Sequence, residues 1–159
     1  MAIVRQATIH DAAALARLRF EFRASLNEAM ETEAAFVARA VPWMRERLSG
    51  DGRWRCWVVE DAGGVVAGHL WLEFIEKVPN PVPELEQHAY ITNVYVRPDQ
   101  RSTGAGQALM DAALALCQDQ RVDSVILWPT ARSRTLYARN GFAVRDDIME
   151  AILDHGRLL

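Results

Sequence analysis

Runs of basic residues are missing from this sequence. Lys77 is the only lysine among 159 residues, the remaining basic residues are scattered arginines, and the formal net charge is −3. Nucleic-acid binding rests on clustered positive charge, so nucleic acid is excluded as the main partner. Cysteine is nearly absent too. Cys56 and Cys117 are the only two, too few and too isolated for a disulfide framework or a metal cluster. Both read as buried free thiols, and no metal is expected. No apolar run approaches the ~18 residues of a membrane span, and MAIVRQATIHDA lacks a charged segment leading into an apolar core. Neither a signal peptide nor a membrane partner is expected, and the cytoplasm is the default location. Repeats, low-complexity tracts and linkers are absent as well, so residues 1–159 read as a single domain. Half of those residues are apolar, enough for one core.

What is present alternates between strand and helix patterns. Ile3 to Gln6 reads as a short strand. Thr8 or Asp11 then caps a helix carrying Ala13, Leu15, Leu18 and Phe22 on one face. A second helix is expected from Thr32 to Leu48, kinked or split by Pro42 and stopped by Ser49-Gly50-Asp51-Gly52. WRCWVVEDAGGVVAGHLWLEFIE gives two strands joined at Asp61-Ala62-Gly63-Gly64. VPNPVPELEQ is an ordered loop or lid, AYITNVYV a strand, Gly104 to Gln120 a helix and Ser124 to Trp128 a buried strand. Ser133 to Asn140 is a short helix, and Phe142 to Ile152 the last strand. The order β-α-α-β-β-β-α-β-α-β predicts an α/β domain with a mixed sheet.

RPDQRSTGAGQALM, at 97–110, stands where a strand hands over to a helix. Glycine there lets backbone approach a ligand, and unpaired N–H groups at a helix N-terminus attract anions. It is no Walker A loop, because Gly-Lys-Ser/Thr does not follow. It is a poor dinucleotide fingerprint, because Leu109 takes the third glycine position. An anion cradle and a plain tight turn both remain open on spacing alone.

The run Val94, Val96, Pro98, Arg101, Gly104, Gly106, Leu109 and Met110 resembles the acetyl-coenzyme A signature of GNAT-family N-acetyltransferases. A second block, LWPTARSRTLYARNGF, resembles the family's helix ending in Leu-Tyr-x-x-x-Gly-Phe, through Leu136, Tyr137, Gly141 and Phe142. The resemblance covers nearly the whole chain. It implies a GNAT fold: a mixed central sheet of about six to seven strands, flanked by about four helices. It also implies that two central strands splay apart, here Asn93-Val94-Tyr95-Val96 and Ser124 to Trp128.

The same resemblance implies acetyl-CoA as cosubstrate, with its pyrophosphate on backbone N–H groups of Arg101, Ser102, Thr103, Gly104, Ala105 and Gly106. Arg101 adds charge, and the pantetheine arm pairs with the backbone of Asn93 to Val96 as an added strand. A backbone N–H near Val94 polarises the thioester carbonyl. Tyr137 sits where many members carry the general acid that protonates the departing thiolate. Thr130 replaces an Asn common in the family, and Arg132, Ser133 and Arg134 follow as candidate cofactor contacts. Ordinary surface arginines are an equal reading of Arg132 and Arg134.

An ammonium acceptor must also lose a proton. Some members carry a Glu early in the cofactor-binding strand, where this chain has Tyr90. N-terminus-acetylating relatives carry one before the tyrosine helix, where this chain has Val125. His88 and Glu73 are the remaining candidates for the base, followed by Glu76, Glu84 and Glu86, with direct loss to water as the alternative. SLNEAMETE and VPNPVPELEQ place Glu28, Glu31, Glu33, Glu84 and Glu86 at the acceptor edge, which favours a cationic acceptor if those charges are free. The expectation is direct acetyl transfer to a primary amine of a small molecule. A protein lysine or N-terminal acetyltransferase and a non-catalytic acyl-CoA-binding regulatory module are the alternatives. A homodimer paired through Met149 to Leu153 is a family-level expectation.

Overall fold

The computed structural model describes residues 3–154. The chain divides into two compact units, Met1–Trp128 and Pro129–Leu159. The first contains a sheet of five strands in sequence order: β1 (Ile3–Gln6), β2 (Trp54–Glu60), β3 (Val66–Glu76), β4 (Gln87–Val96) and β5 (Ser124–Ile126). β1 to β4 are antiparallel neighbours and β5 joins β4 in parallel, so the sheet is mixed as expected. Helices α1 (Ala12–Ser25), α2 (Glu33–Leu48) and α3 (Ala105–Asp119) belong to this unit, and α4 (Arg134–Arg139) to the second.

Local chemistry explains where the helices start. Thr8 closes a capping box over a short 3-10 turn, Ile9–Asp11, which runs straight into α1. The buried Asp11 carboxylate takes both Arg5 guanidinium Nη groups at 2.9 Å and the Thr8 N–H at 2.7 Å. Arg5 in turn donates Nε–H to Glu60 at 2.8 Å, tying β1 to β2. The Arg5 hydrogen bonds, ahead of the opposing cost of burial, hold the Asp11 carboxyl below the usual carboxylate range.

α1 and α2 bury Leu15, Ala16, Ala40 and Met44 against Cys56, Val58 and Trp71 on one sheet face. Strand alternation gives Val59, Leu70, Leu72 and Ile91 to the opposite face. There α3 contributes Leu109, Met110, Ala113 and Cys117. Both thiols are buried and free, as the sequence suggests. No helix among the described residues is long and apolar enough to cross a membrane.

Three expectations change. α2 runs unbroken through Pro42, whose missing N–H leaves one i−4 carbonyl without its helix bond; Ala40 and Met44, packed on either side, offset that loss. β5 stops at Ile126, two residues short of the expected Trp128, because its ladder to β4 ends there. No strand forms across Phe142 to Ile152 among the described residues, which leaves five strands instead of six to seven. That segment lacks a clean two-residue alternation, and Met149 and Leu153 are more than 90% exposed. The dimer-pairing strand expected at Met149 to Leu153 is therefore not formed in the described chain.

Candidate active site

β4 carries a break in its pleat. His69 faces Tyr95 and Trp71 faces Thr92, so Leu70 alone stands opposite both Asn93 and Val94. This is a β-bulge, and Asn93 adopts the left-handed conformation, φ 56°. The extra residue reverses the alternation: Tyr90 and Thr92 face the α1–α2 side before it, and Tyr95 does so after it. The Tyr95 hydroxyl accordingly donates to Glu21 of α1 at 2.7 Å, and burial, with that bond, pushes its pKa up to about 12.

On the other edge of β4 the ladder to β5 covers only His88, Ala89 and Tyr90. Beyond Tyr90 the two strands part, which is the expected splay. The Arg97 N–H donates to Ala67 O at 2.8 Å. Counting back by alternation turns the N–H and C=O of Val96 and Val94 away from β3, toward the opened edge. Asn93-Val94-Tyr95-Val96 thus presents a free strand edge over its last residues.

That edge runs directly into the glycine stretch. Pro98–Gln100 forms a 3-10 turn, the Thr103 hydroxyl donates to Gln100 O at 2.7 Å, and Ser102 has φ 62°. Gly104 has φ 87° and caps α3 with no side chain. A β-carbon there would meet nothing within 4 Å, so the requirement for glycine is conformational, not steric. Ala108 N–H is bonded to Gly104 O at 2.9 Å, while the N–H groups of Ala105 and Gly106 precede this first intrahelical donor. Arg101 donates Nε–H to Val96 O at 3.0 Å and lies 5.8 Å from the Tyr95 ring centre, with no carboxylate partner among the described residues. Arg97, by contrast, is taken by Asp61 and Asp99. A donor-only set of backbone N–H groups beside one unpaired guanidinium matches the acceptor-only oxygens of a pyrophosphate.

In the second unit Ser133 caps α4. Its hydroxyl accepts from Thr130 N–H at 2.9 Å and lies 3.0 Å from the Thr130 hydroxyl. Arg132 is exposed. Tyr137 is buried, with its ring 5.8 Å from Phe142. Burial raises its pKa above the ordinary phenol value, against a lesser opposing hydrogen bond with Ser133.

The two candidate bases fall at different places. His88 lies in the closed part of the ladder, its Nδ1 2.7 Å from Ser124 Oγ. Five residues of strand, about 16 Å, separate it from the bulge. Glu73 stands on β3 opposite Tyr90 and is paired with Arg53 at 3.0 Å. It shares its sheet face with Trp71, which lines a cavity of about 350 Å³ bounded also by Arg19, Trp43, Trp54, Thr92 and Asn93. The acid-rich edges are largely neutralised. Glu28 pairs with Arg23, Glu31 with Arg39, and Glu84 with Lys77 at 3.0 Å, while Glu33 stands 4.0 Å from Arg17. Sequence reasoning missed Arg19, Glu21, Trp43 and Trp54, because α1 and α2 carry no motif and only the fold brings them to the bulge.

The family model described as the acetyltransferase (GNAT) family matches residues 16–142. A GCN5-related N-acetyltransferase from Ralstonia eutropha JMP134 is 30% identical, covering 97% of this chain and 100% of that one, with a TM-score of 0.74. A predicted acetyltransferase with acetyl-CoA from Clostridium acetobutylicum has a TM-score of 0.77 at 21% identity, over 96% and 97% of the two chains. Glucosamine-6-phosphate N-acetyltransferase from Arabidopsis thaliana shares the fold at 18% identity, TM-score 0.71, over 97% and 99%. No curated protein matches the sequence.

Proposed function

Because the chain belongs to the GNAT acetyltransferase family, we propose that it transfers the acetyl group of acetyl-CoA directly to a primary amine of a small-molecule acceptor. The observation that carries this reading is the edge of β4 left without a strand partner at Val94 and Val96, followed across a short 3-10 turn by the N-terminus of α3, which no side chain caps. Acetyl-CoA supplies an acetyl thioester, whose carbonyl carbon an amine can attack. The chain's own groups do the rest. N–H groups from Arg101 to Gly106 and the Arg101 guanidinium bind the pyrophosphate, the Asn93–Val96 edge pairs with the pantetheine amides, and the Val94 N–H polarises the thioester carbonyl. Thr130, Arg132 and Ser133 are assigned to the cofactor on the family motif.

Tyr137 is assigned the proton for the departing sulfur. A phenol kept neutral by burial holds that proton until a thiolate develops beside it. Glu73 is assigned the acceptor's proton over His88, which shares its sheet face but lies two residues further along the ladder from the Trp71–Thr92 pair that lines the cavity. Direct transfer is supported by the thiols: burial pushes Cys117 up to about 11 and Cys56 well above its usual value, which disfavours either as a thiolate nucleophile at neutral pH. A cavity of about 350 Å³ suits a small acceptor.

Acetyl-CoA consumption with a panel of amines tests the reading, using Tyr137→Phe as the variant. Turnover is expected to fall roughly a hundredfold or more with acetyl-CoA affinity retained. Full activity in the variant would remove Tyr137 from the mechanism. Cofactor binding without turnover on any amine would overturn the catalytic reading.

A further inference from the structure

Three of the five tryptophans come from separate elements to one place. Trp43 of α2, Trp54 of β2 and Trp71 of β3 pack with ring centres 5.5 to 6.1 Å apart, and all three line the cavity beside the β4 bulge. The indole N–H of Trp71 is buried with no hydrogen-bond partner among the described residues. The opposite side of the cavity is cationic. Arg19 of α1 donates Nη1–H to Asn93 Oδ1 at 2.8 Å, and Arg39 of α2 stands nearby. Arg39 is neutralised by Glu31, as Arg23 is by Glu28, and Glu21 is occupied by the Tyr95 hydroxyl. Arg19 alone among these arginines forms no ion pair within the described structure. Burial, the largest effect on it, lowers its pKa from the usual guanidinium value. A half-buried cation left without a counter-ion is costly, and a bound oxyanion removes that cost.

We propose that the acceptor is an anionic amine with an apolar body, an amino acid with a large apolar or aromatic side chain, whose carboxylate is held by Arg19 and whose side chain lies against Trp43, Trp54 and Trp71. The inference rests on the acetyltransferase reading. It replaces the cationic acceptor that the glutamates suggest, since three of them, Glu28, Glu31 and Glu84, are spent on Arg23, Arg39 and Lys77. Spacing narrows the choice further. Arg19 is bonded to Asn93, the residue before Val94, and consecutive Cα atoms lie about 3.8 Å apart. That places the arginine beside the residue assigned to the thioester carbonyl, which favours an acceptor whose amine and oxyanion are a few bonds apart, as they are in an α-amino acid. A guanidinium fork also matches a carboxylate in two-point geometry, which an ammonium does not.

The test compares L-phenylalanine with L-phenylalaninamide, and glucosamine 6-phosphate with glucosamine, as acceptors for the full-length protein. The wild type is expected to prefer phenylalanine to its amide at least tenfold in kcat/KM. In Arg19→Gln that preference should collapse toward one through a raised KM for the acid, and Arg19→Lys should restore part of it. Equal use of acid and amide by the wild type would overturn the proposal without any variant. So would a preference that survives in Arg19→Gln. A wild type that takes glucosamine 6-phosphate and ignores phenylalanine would overturn the amino-acid assignment while locating a phosphate on the same arginine. Acetyl-CoA binding, followed separately by thermal shift, distinguishes the two levels. Cofactor binding with turnover of neutral or cationic amines sinks only the anionic acceptor, whereas no cofactor binding sinks the acetyltransferase reading itself.

Discussion

His69 sits on β3 opposite Tyr95, fully buried, with neither ring nitrogen hydrogen-bonded among the described residues. Burial, reinforced by the positive charge of Arg19, pulls its pKa down to about 3, so the native ring is neutral. The consequence for stability has a definite sign. Below about 6.5 the unfolded chain binds a proton at this histidine and the native chain does not. Stability is therefore lost as pH falls from about 6.5 toward 3. Between pH 7 and pH 5 this one group should withdraw about 2 kcal/mol, at about 1.4 kcal/mol per pH unit once the unfolded ring is charged. Replacing the ring by His69→Leu should flatten that part of the profile, whatever it does to stability at pH 7. Urea unfolding of both proteins at the two pH values is the measurement. An equal loss in both would show that the ring finds a partner or water in solution. Arg19 thus has two effects: its charge adds to the burial that keeps His69 neutral, and its side chain bonds Asn93 in the bulge.

At the scale of elements, β3 and β4 meet most tightly at Gly68. A β-carbon there would come within 2.8 Å of Tyr95 O and 3.0 Å of the Val59 and Val96 methyls. The nearest of these is backbone, so Gly68→Ala must push β4 outward at Tyr95 and Val96, the edge assigned to the pantetheine arm. Overpacking of this kind typically costs about 1–3 kcal/mol. Acetyl-CoA affinity should fall along with stability, and a urea midpoint plus a cofactor titration report both. A variant as stable and as tight-binding as the wild type would show that the strand pair has room. The sequence pattern marked the neighbouring β2–β3 hairpin through Asp61-Ala62-Gly63-Gly64, where Asp61 takes the N–H groups of Gly63 and Val65. Gly68 carried no such mark, since its role depends on which strand lies opposite. The bulge at Asn93 was equally hidden, because an Asn within AYITNVYV looks like an interruption only once Leu70 is seen to face two residues. Pro42 misled in the other direction: a local breaker was overruled by packing on both sides of it. Phe142 to Ile152 failed as a strand for the complementary reason, since apolar residues without regular alternation or a neighbouring ladder have no sheet to join.

For the molecule as a whole, what was legible was the part fixed by short-range chemistry. The glycine turn, α3 and the order of elements as far as α4 could be read along the chain. Most of the acceptor side could not, because Arg19, Trp43 and Trp54 belong to three elements that only the folded sheet brings to Trp71. The sheet unit also makes a prediction about global stability. A ligand that binds only the native state stabilises it by about 2.7 kcal/mol at a hundred times its Kd. For a chain of this length each kcal/mol is worth about 2–4 °C, so acetyl-CoA at that level should raise Tm by roughly 5–10 °C. Which part of the cofactor carries the effect is separable by omitting the nucleotide. S-acetylpantetheine retains the thioester and the amides that would pair with Val94 and Val96, but it has no pyrophosphate for Arg101 and the first turn of α3. At equal concentration its shift should be much smaller. No shift with millimolar acetyl-CoA would remove the cofactor assignment altogether. Equal shifts with both compounds would move the anchor from the α3 N-terminus to the open edge of β4, leaving Gly104 as a turn residue and no more.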